Sequence, residues 1–126
     1  MKKAIKGLLV DPEKQTITEV DVECDDNGES HVESIYKHLD CSCFDVARRL
    51  LTFLPSIPDD DVWLDDEAGF NGGKYMFLLP GFVPLVGRGL ILSHDYRTGE
   101  SLSHTLTAHD IEVLRDKICW MVRETV

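Results

Sequence analysis

Residues 16–23 (TITEVDVE) set Thr18, Val20 and Val22 on one series of alternate positions and Glu19, Asp21 and Glu23 on the other. Successive side chains of a strand point to opposite faces, so the stretch predicts a β-strand with one buried face and one wet face, the wet one uniformly acidic. Residues 4–10 (AIKGLLV) make a second β-rich run, and Asp11, Pro12, Glu13, Lys14 and Gln15 lie between the two. Proline presets a turn's φ and aspartate hydrogen-bonds the backbone beyond it, so the chain is expected to open with a β-hairpin.

At 126 residues the chain has the length of one domain, residues 1–126, built around one core. Residues 30–33 (SHVE) match a capping box, and Val32, Ile35, Tyr36 and Leu39 follow at helical spacing, predicting a helix over 31–39. Residues 43–48 read as a strand, and residues 52–61 (TFLPSIPDDD) as a connecting loop extending beyond the compact core. Residues 62–64 and 75–79 read as two strands of a long hairpin. Residues 85–93 (LVGRGLILS) read as one further strand, in which Gly87 and Gly89 mark a bulge or a close approach of backbone to something else. Thr107, with Asp110 three residues on, is placed to cap a last helix, and Ile111, Leu114, Ile118, Met121 and Val122 extend its apolar stripe to about residue 124. The sum is an α+β fold: a single compact domain with a mostly antiparallel sheet of about five or six strands and two helices on one face. Trp63 and Trp120 are expected as core anchors.

Lys and Arg number 13 against 23 Asp and Glu, a net charge of −10. That is the wrong sign for neutralising phosphates, so direct nucleic-acid binding and attachment to anionic membrane are not expected. No stretch approaches the roughly 18 apolar residues of a membrane span, and the N-terminus lacks a signal peptide's apolar region, so a cytoplasmic protein is expected. The charge is local: residues 1–67 hold 7 basic and 17 acidic side chains, and residues 68–126 hold 6 of each. Glu19, Asp21, Glu23, Asp59, Asp60, Asp61, Asp65, Asp66 and Glu67 would together make a negative surface if the sheet brought them side by side. Such a surface either keeps the protein soluble or docks on a basic partner. On this reading the three acids after Pro58 are exposed.

Six carboxylates within residues 59–67 suggest oxygen ligands for a divalent ion, but their spacing does not follow the calcium-loop pattern. Cys24, Cys41, Cys43 and Cys119 are expected as reduced thiols, because zinc would need further ligands from elsewhere in the chain. The histidines make no i, i+4 pair and no Gly-x-Ser-x-Gly elbow exists, so neither a metal, another cofactor nor an enzymatic reaction is expected. Gly87-Arg88-Gly89 lets backbone approach a ligand closely beside a guanidinium suited to phosphate or carboxylate. If these residues bind a small molecule, a pocket is expected beside them.

Several segments resemble a family of small proteins of unknown function encoded by tailed bacteriophages and prophages. They are Ile35-Tyr36-Lys37 with Cys41 and Phe44-Asp45, then Val62-Trp63-Leu64-Asp65-Asp66-Glu67, then Pro84-Leu85-Val86-Gly87-Arg88-Gly89-Leu90-Ile91-Leu92 and Gly99-Glu100-Ser101. Here Gly69 follows the Asp-Asp-Glu only after Ala68, and residues 50–60 and 71–74 are insertions relative to that pattern. The resemblance implies a phage accessory protein that binds and inhibits a host protein complex, such as a defence machine with a basic surface, through a negative surface that mimics nucleic acid. The alternatives are a module that binds and sequesters a nucleotide signal through Arg88 and its glycines, alone or as a homo-oligomer, and a metal-dependent enzyme built on Asp65, Asp66 and Glu67.

Overall fold

The computed structural model describes residues 4–24, 30–41, 43–65 and 73–123. In chain order its elements are β1 (Ala4–Asp11), β2 (Thr16–Glu23), α1 (Val32–Leu39), β3 (Phe44–Arg48), β4 (Asp61–Asp65), β5 (Tyr75–Leu78), β6 (Leu85–Val86), β7 (Gly89–His94), β8 (Ser101–Leu102), α2 (Ala108–Lys117) and β9 (Cys119–Val122). The opening hairpin forms as expected, with Ala4 opposite Glu23 and Asp11 opposite Thr16. Its turn is held by Asp11 Oδ1, which accepts the N–H groups of Glu13 at 3.1 Å and Lys14 at 3.3 Å.

The main sheet has six antiparallel strands in the order β2-β1-β7-β4-β3, with β8 paired to the end of β7. Its central strands carry consecutive apolar residues, Leu8-Leu9-Val10 in β1 and Leu90-Ile91-Leu92 in β7, so both faces are apolar and each needs a cover. Leu8, Val10, Ile17, Val62 and Ile91 point into a larger core with Leu51, Leu54, Phe77 and Leu114. Val22, Leu90 and Leu92 point the other way, under Ile35 and Leu39 of α1. The α+β class therefore holds, but the two helices cover opposite faces and not one.

A second sheet, β6-β5-β9, lies with α2 over the larger core. It changes three expectations. β4 and β5 belong to different sheets and make no hairpin with each other. The expected single strand over 85–93 is two, broken at Gly87-Arg88 where the chain passes between sheets with Gly87 at φ +87°. The last helix stops at Lys117; Ile118 turns extended (φ −67°, ψ 138°), and β9 pairs with β5, Trp120 opposite Phe77. The apolar residues after 117 serve a strand because long-range pairing with β5 satisfies their backbone, which helical spacing alone does not reveal.

Gly89 is required by packing, since a Cβ there would meet Phe77 Cζ at 2.9 Å. The loop after β3 is packed inward, with Leu51 and Leu54 buried, contrary to the expected excursion beyond the core. The capping box of α2 forms between Thr107 and Asp110. That of α1 does not: His31 is the N-cap, and Ser30 Oγ accepts from Val32 N at 3.2 Å instead. Side chains seal the outer edge of β2. Arg115 Nη2 donates to Ile17 O at 2.9 Å, His38 Nε2 to Asp21 O at 2.8 Å, and Glu23 N donates to Ser34 Oγ at 3.1 Å. Among the described residues no helix is long and apolar enough to cross a membrane.

Candidate functional site

The break between β6 and β7 opens a cleft of about 330 Å3. Its walls come from the β1–β2 turn, the C-terminal end of α1, the end of β4 and the start of β5, with Gly87 and Arg88 between them. Arg88 enters from the crossover and is aimed by two contacts. Its Nη1 donates to His38 O at 3.1 Å, and its Nε lies 3.7 Å from the buried Asp11 Oδ2. The Arg88 side chain is one-third exposed, and a guanidinium carries five N–H donors, more than these two contacts use. Across the cleft Lys74 Nζ sits 5.3 Å from the centroid of the Tyr75 ring, within reach of a cation–π contact.

Carboxylates line the same space. Asp40 enters from the left-handed C-cap of α1 (φ 52°), Glu13 from the turn, and Asp65 from the end of β4. Arginine and lysine favour anionic oxygens, carboxylates accept hydroxyl or amine hydrogens, and an aromatic ring offers a stacking face. The cleft thus suits a ligand carrying all three kinds of group. Nearby, burial first and then the Asp65 charge push the Cys41 thiol up to about 11. The sequence pointed here through Gly87 and Arg88. Gly89 belongs to packing beneath Phe77, outside the lining. Asp11, Lys74 and Tyr75 were missed; Asp11 had read as a turn residue, and nothing local brings β5 to the hairpin.

The nine acids of the expected docking surface are dispersed. Glu19 and Asp21 face outward from β2 but already hold partners, His104 Nε2 at 3.1 Å and Lys6 Nζ respectively. Glu23 and Asp59 are exposed, the latter accepting from the Tyr96 hydroxyl. Asp60 and Asp61 are 1% and 3% exposed, which corrects the expectation of an exposed triplet. Asp60 turns inward because Thr105 satisfies it, N to Oδ2 at 2.7 Å and Oγ1 to Oδ1 at 2.5 Å. Asp61 turns to the opposite face and accepts from His94 Nδ1 at 2.8 Å. Asp65 lies on the cleft wall, and Asp66 and Glu67 fall outside the described residues. β2 and β4 are separated by β1 and β7, about 14 Å at ordinary strand spacing.

No disulfide joins the four cysteines, and among the described residues no three His, Cys, Asp or Glu side chains are arranged to hold a metal ion. Comparison of the chain with protein-family models, with curated proteins and with solved structures gives no match.

Proposed function

We propose that the protein is a binding module for a small molecule of the nucleotide class, held in the cleft beside Gly87 and Arg88. The cleft itself carries the reading: about 330 Å3 lies within the volumes typical of ligand sites, ~300–1,000 Å3. A nucleotide answers each kind of group there, with phosphate oxygens for Arg88 and Lys74, hydroxyls for Asp40 and Glu13, and a base for the Tyr75 ring. Together with the resemblance to small phage proteins, this supports a sequestering role in the host cytoplasm.

Calorimetric titration with adenosine diphosphate, and with inorganic phosphate and adenosine as its parts, tests it. Lys74→Ala, on the exposed rim, and Arg88→Ala are each expected to weaken diphosphate binding by about 1.5–3 kcal/mol, the range for hydrogen bonds to charged groups. Absence of heat with all three compounds refutes the reading.

A second reading, an acidic protein that binds and inhibits a host complex, is supported by Glu19, Asp21 and Glu23 standing exposed along an edge strand of a chain of charge −10. It predicts capture of a basic, nucleic-acid-binding complex from bacterial lysate, released as salt rises. Reversal of Glu19, Asp21 and Glu23 to Lys should abolish that capture; unchanged capture excludes this surface.

A further inference from the structure

The outer edges of β2, β3, β6 and β9 are finished differently. That of β2 is sealed by Arg115, His38 and Ser34. On β3, Asp45 Oδ1 accepts from Val46 N at 2.8 Å, and β6 is two residues long and follows Pro84, which has no N–H to offer. Side-chain caps, prolines and very short strands are ordinary means of keeping an edge from pairing. β9 (CWMV) has none of them. It carries neither charge nor proline, and Cys119 and Val122 are exposed, Val122 at 61%.

The register of β9 fixes which backbone groups that edge presents. Arg123 N donates to Lys74 O at 2.8 Å, which makes 123 and 74 a bonded pair. Met121 is opposite Met76 and Cys119 opposite Leu78, so residues 119, 121 and 123 turn their N–H and C=O groups to β5. Trp120 and Val122 turn theirs the other way, where, among the described residues, β9 has no strand partner. The side chains of Trp120 and Val122 share one face of the sheet, the face on which Trp120 packs against the larger core.

We infer that a second copy of this chain pairs along this edge, β9 against β9, antiparallel about a twofold axis that passes between the two Met121 residues. In that register Trp120 of each copy is the bonded partner of Val122 of the other, and every outward N–H and C=O of these residues gains a partner. Each exposed Val122 comes to lie beside the other copy's Trp120, and the two three-stranded sheets join into one. Charge selects this edge and this occupant. Residues 68–126 hold 6 basic and 6 acidic side chains, whereas the acidic surplus lies in residues 1–67. Pairing through β2 would set Glu19, Asp21 and Glu23 of two copies against one another, but pairing through β9 sets Arg123 opposite Cys119 and brings no like charges together across the seam. Residues 119–123 lie outside the cleft lining, so the pairing is independent of the nucleotide reading.

Sedimentation velocity of the full chain, from micromolar to submillimolar concentration, tests it. A reversible shift from the monomer mass to twice that mass is expected. Val122→Pro and Val122→Lys should stay monomeric throughout the range. The N–H that proline removes faces away from β5, so both variants should keep the circular dichroism of the dilute parent chain. A cross-link reads the register directly. Met121 of the two copies would form a non-bonded pair with Cα atoms about 4.5 Å apart, within the roughly 4.4–6.8 Å that a disulfide spans. Met121→Cys in a chain also carrying Cys119→Ser, oxidised with copper phenanthroline, is expected to give a dimer in which peptide mass spectrometry finds residue 121 joined to residue 121. A monomer at every concentration overturns the inference. So does a dimer that survives the Val122 substitutions, or the absence of a 121–121 link; the cross-link decides even where a Val122 variant fails to fold.

Discussion

Asp110→Ala is expected to be the most damaging single truncation of a polar side chain in the fold. Asp110 is 0% exposed in the first turn of α2. Its carboxylate accepts from Ser56 N at 3.1 Å, Ser56 Oγ at 2.5 Å and Thr107 N at 2.9 Å, and its own N donates to Thr107 Oγ1 at 3.0 Å. It therefore closes the helix cap and fastens α2 to a loop 54 residues earlier in the chain. Losing the reciprocal cap costs about 1 kcal/mol. Two hydrogen bonds to a charged acceptor add about 1.5 kcal/mol each at the low end, the end that applies because water reaches the exposed Ser56.

The total is about 4 kcal/mol, a fall in Tm of roughly 10–20 °C for a domain of this size. The pH dependence has a definite sign. Burial alone would raise the Asp110 carboxyl, but hydrogen bonds from Ser56 and Thr107 outweigh it and hold the group below the ordinary carboxylate range. A carboxyl depressed in the folded state contributes stability that is fully present above the unfolded value, near 3.9, and is lost as pH falls through the folded one. Urea melts at pH 7 and at steps down to pH 3 should show the gap between wild type and Asp110→Ala full at neutrality and narrowing below about pH 4. A gap under about 1 kcal/mol at pH 7, or one unchanged at pH 3, refutes the account.

Gly89→Ala should destabilise by about 1–3 kcal/mol through overpacking on Phe77, and Phe77→Leu in the same chain should return part of that loss in a double-mutant cycle. Asp59→Lys should move Tm by no more than a few degrees, whereas Asp60→Lys, placing an unpaired cation where Thr105 is held, should prevent folding; equal effects would contradict the burial difference. With its thiol at about 11, Cys41 carries roughly one thiolate per thousand at pH 8 and should alkylate with iodoacetamide well after the exposed Cys119. Simultaneous modification of the two would contradict it.

Features fixed by neighbours in sequence were legible before the structure. The β1–β2 hairpin follows from Asp11-Pro12 and a period of two, and the cap of α2 from Thr107 and Asp110 three residues apart. Features fixed by distant partners were not. β9 reads as the end of a helix because its strand partner lies more than forty residues back. Asp60 and Asp61 read as a solvated run because their donors, Thr105 and His94, are 45 and 33 residues away. The cleft was half legible: Gly87 and Arg88 announce a backbone crossing beside a guanidinium, while Lys74 and Tyr75 arrive through the second sheet. The histidine–carboxylate pair was invisible, since counting i, i+4 spacings tests only neighbours on one helix.

The order of strands also sets an order of events. β1 leaves the ribosome before β7 and lies inside the sheet, and this second partner begins only at Gly89. Pairing Leu8 with Ile91 closes one of the longest loops in the chain, and loop closure of that kind comes before any contact rewards it. The nascent hairpin therefore waits with its inner edge unpaired, exposing Leu8, Leu9 and Val10 until β7 has been synthesised. Its outer edge is in the same position until Ser34 and His38 of α1, and finally Arg115 of α2, reach it. The interval before β7 arrives is when this protein is most open to mispairing with another copy of itself.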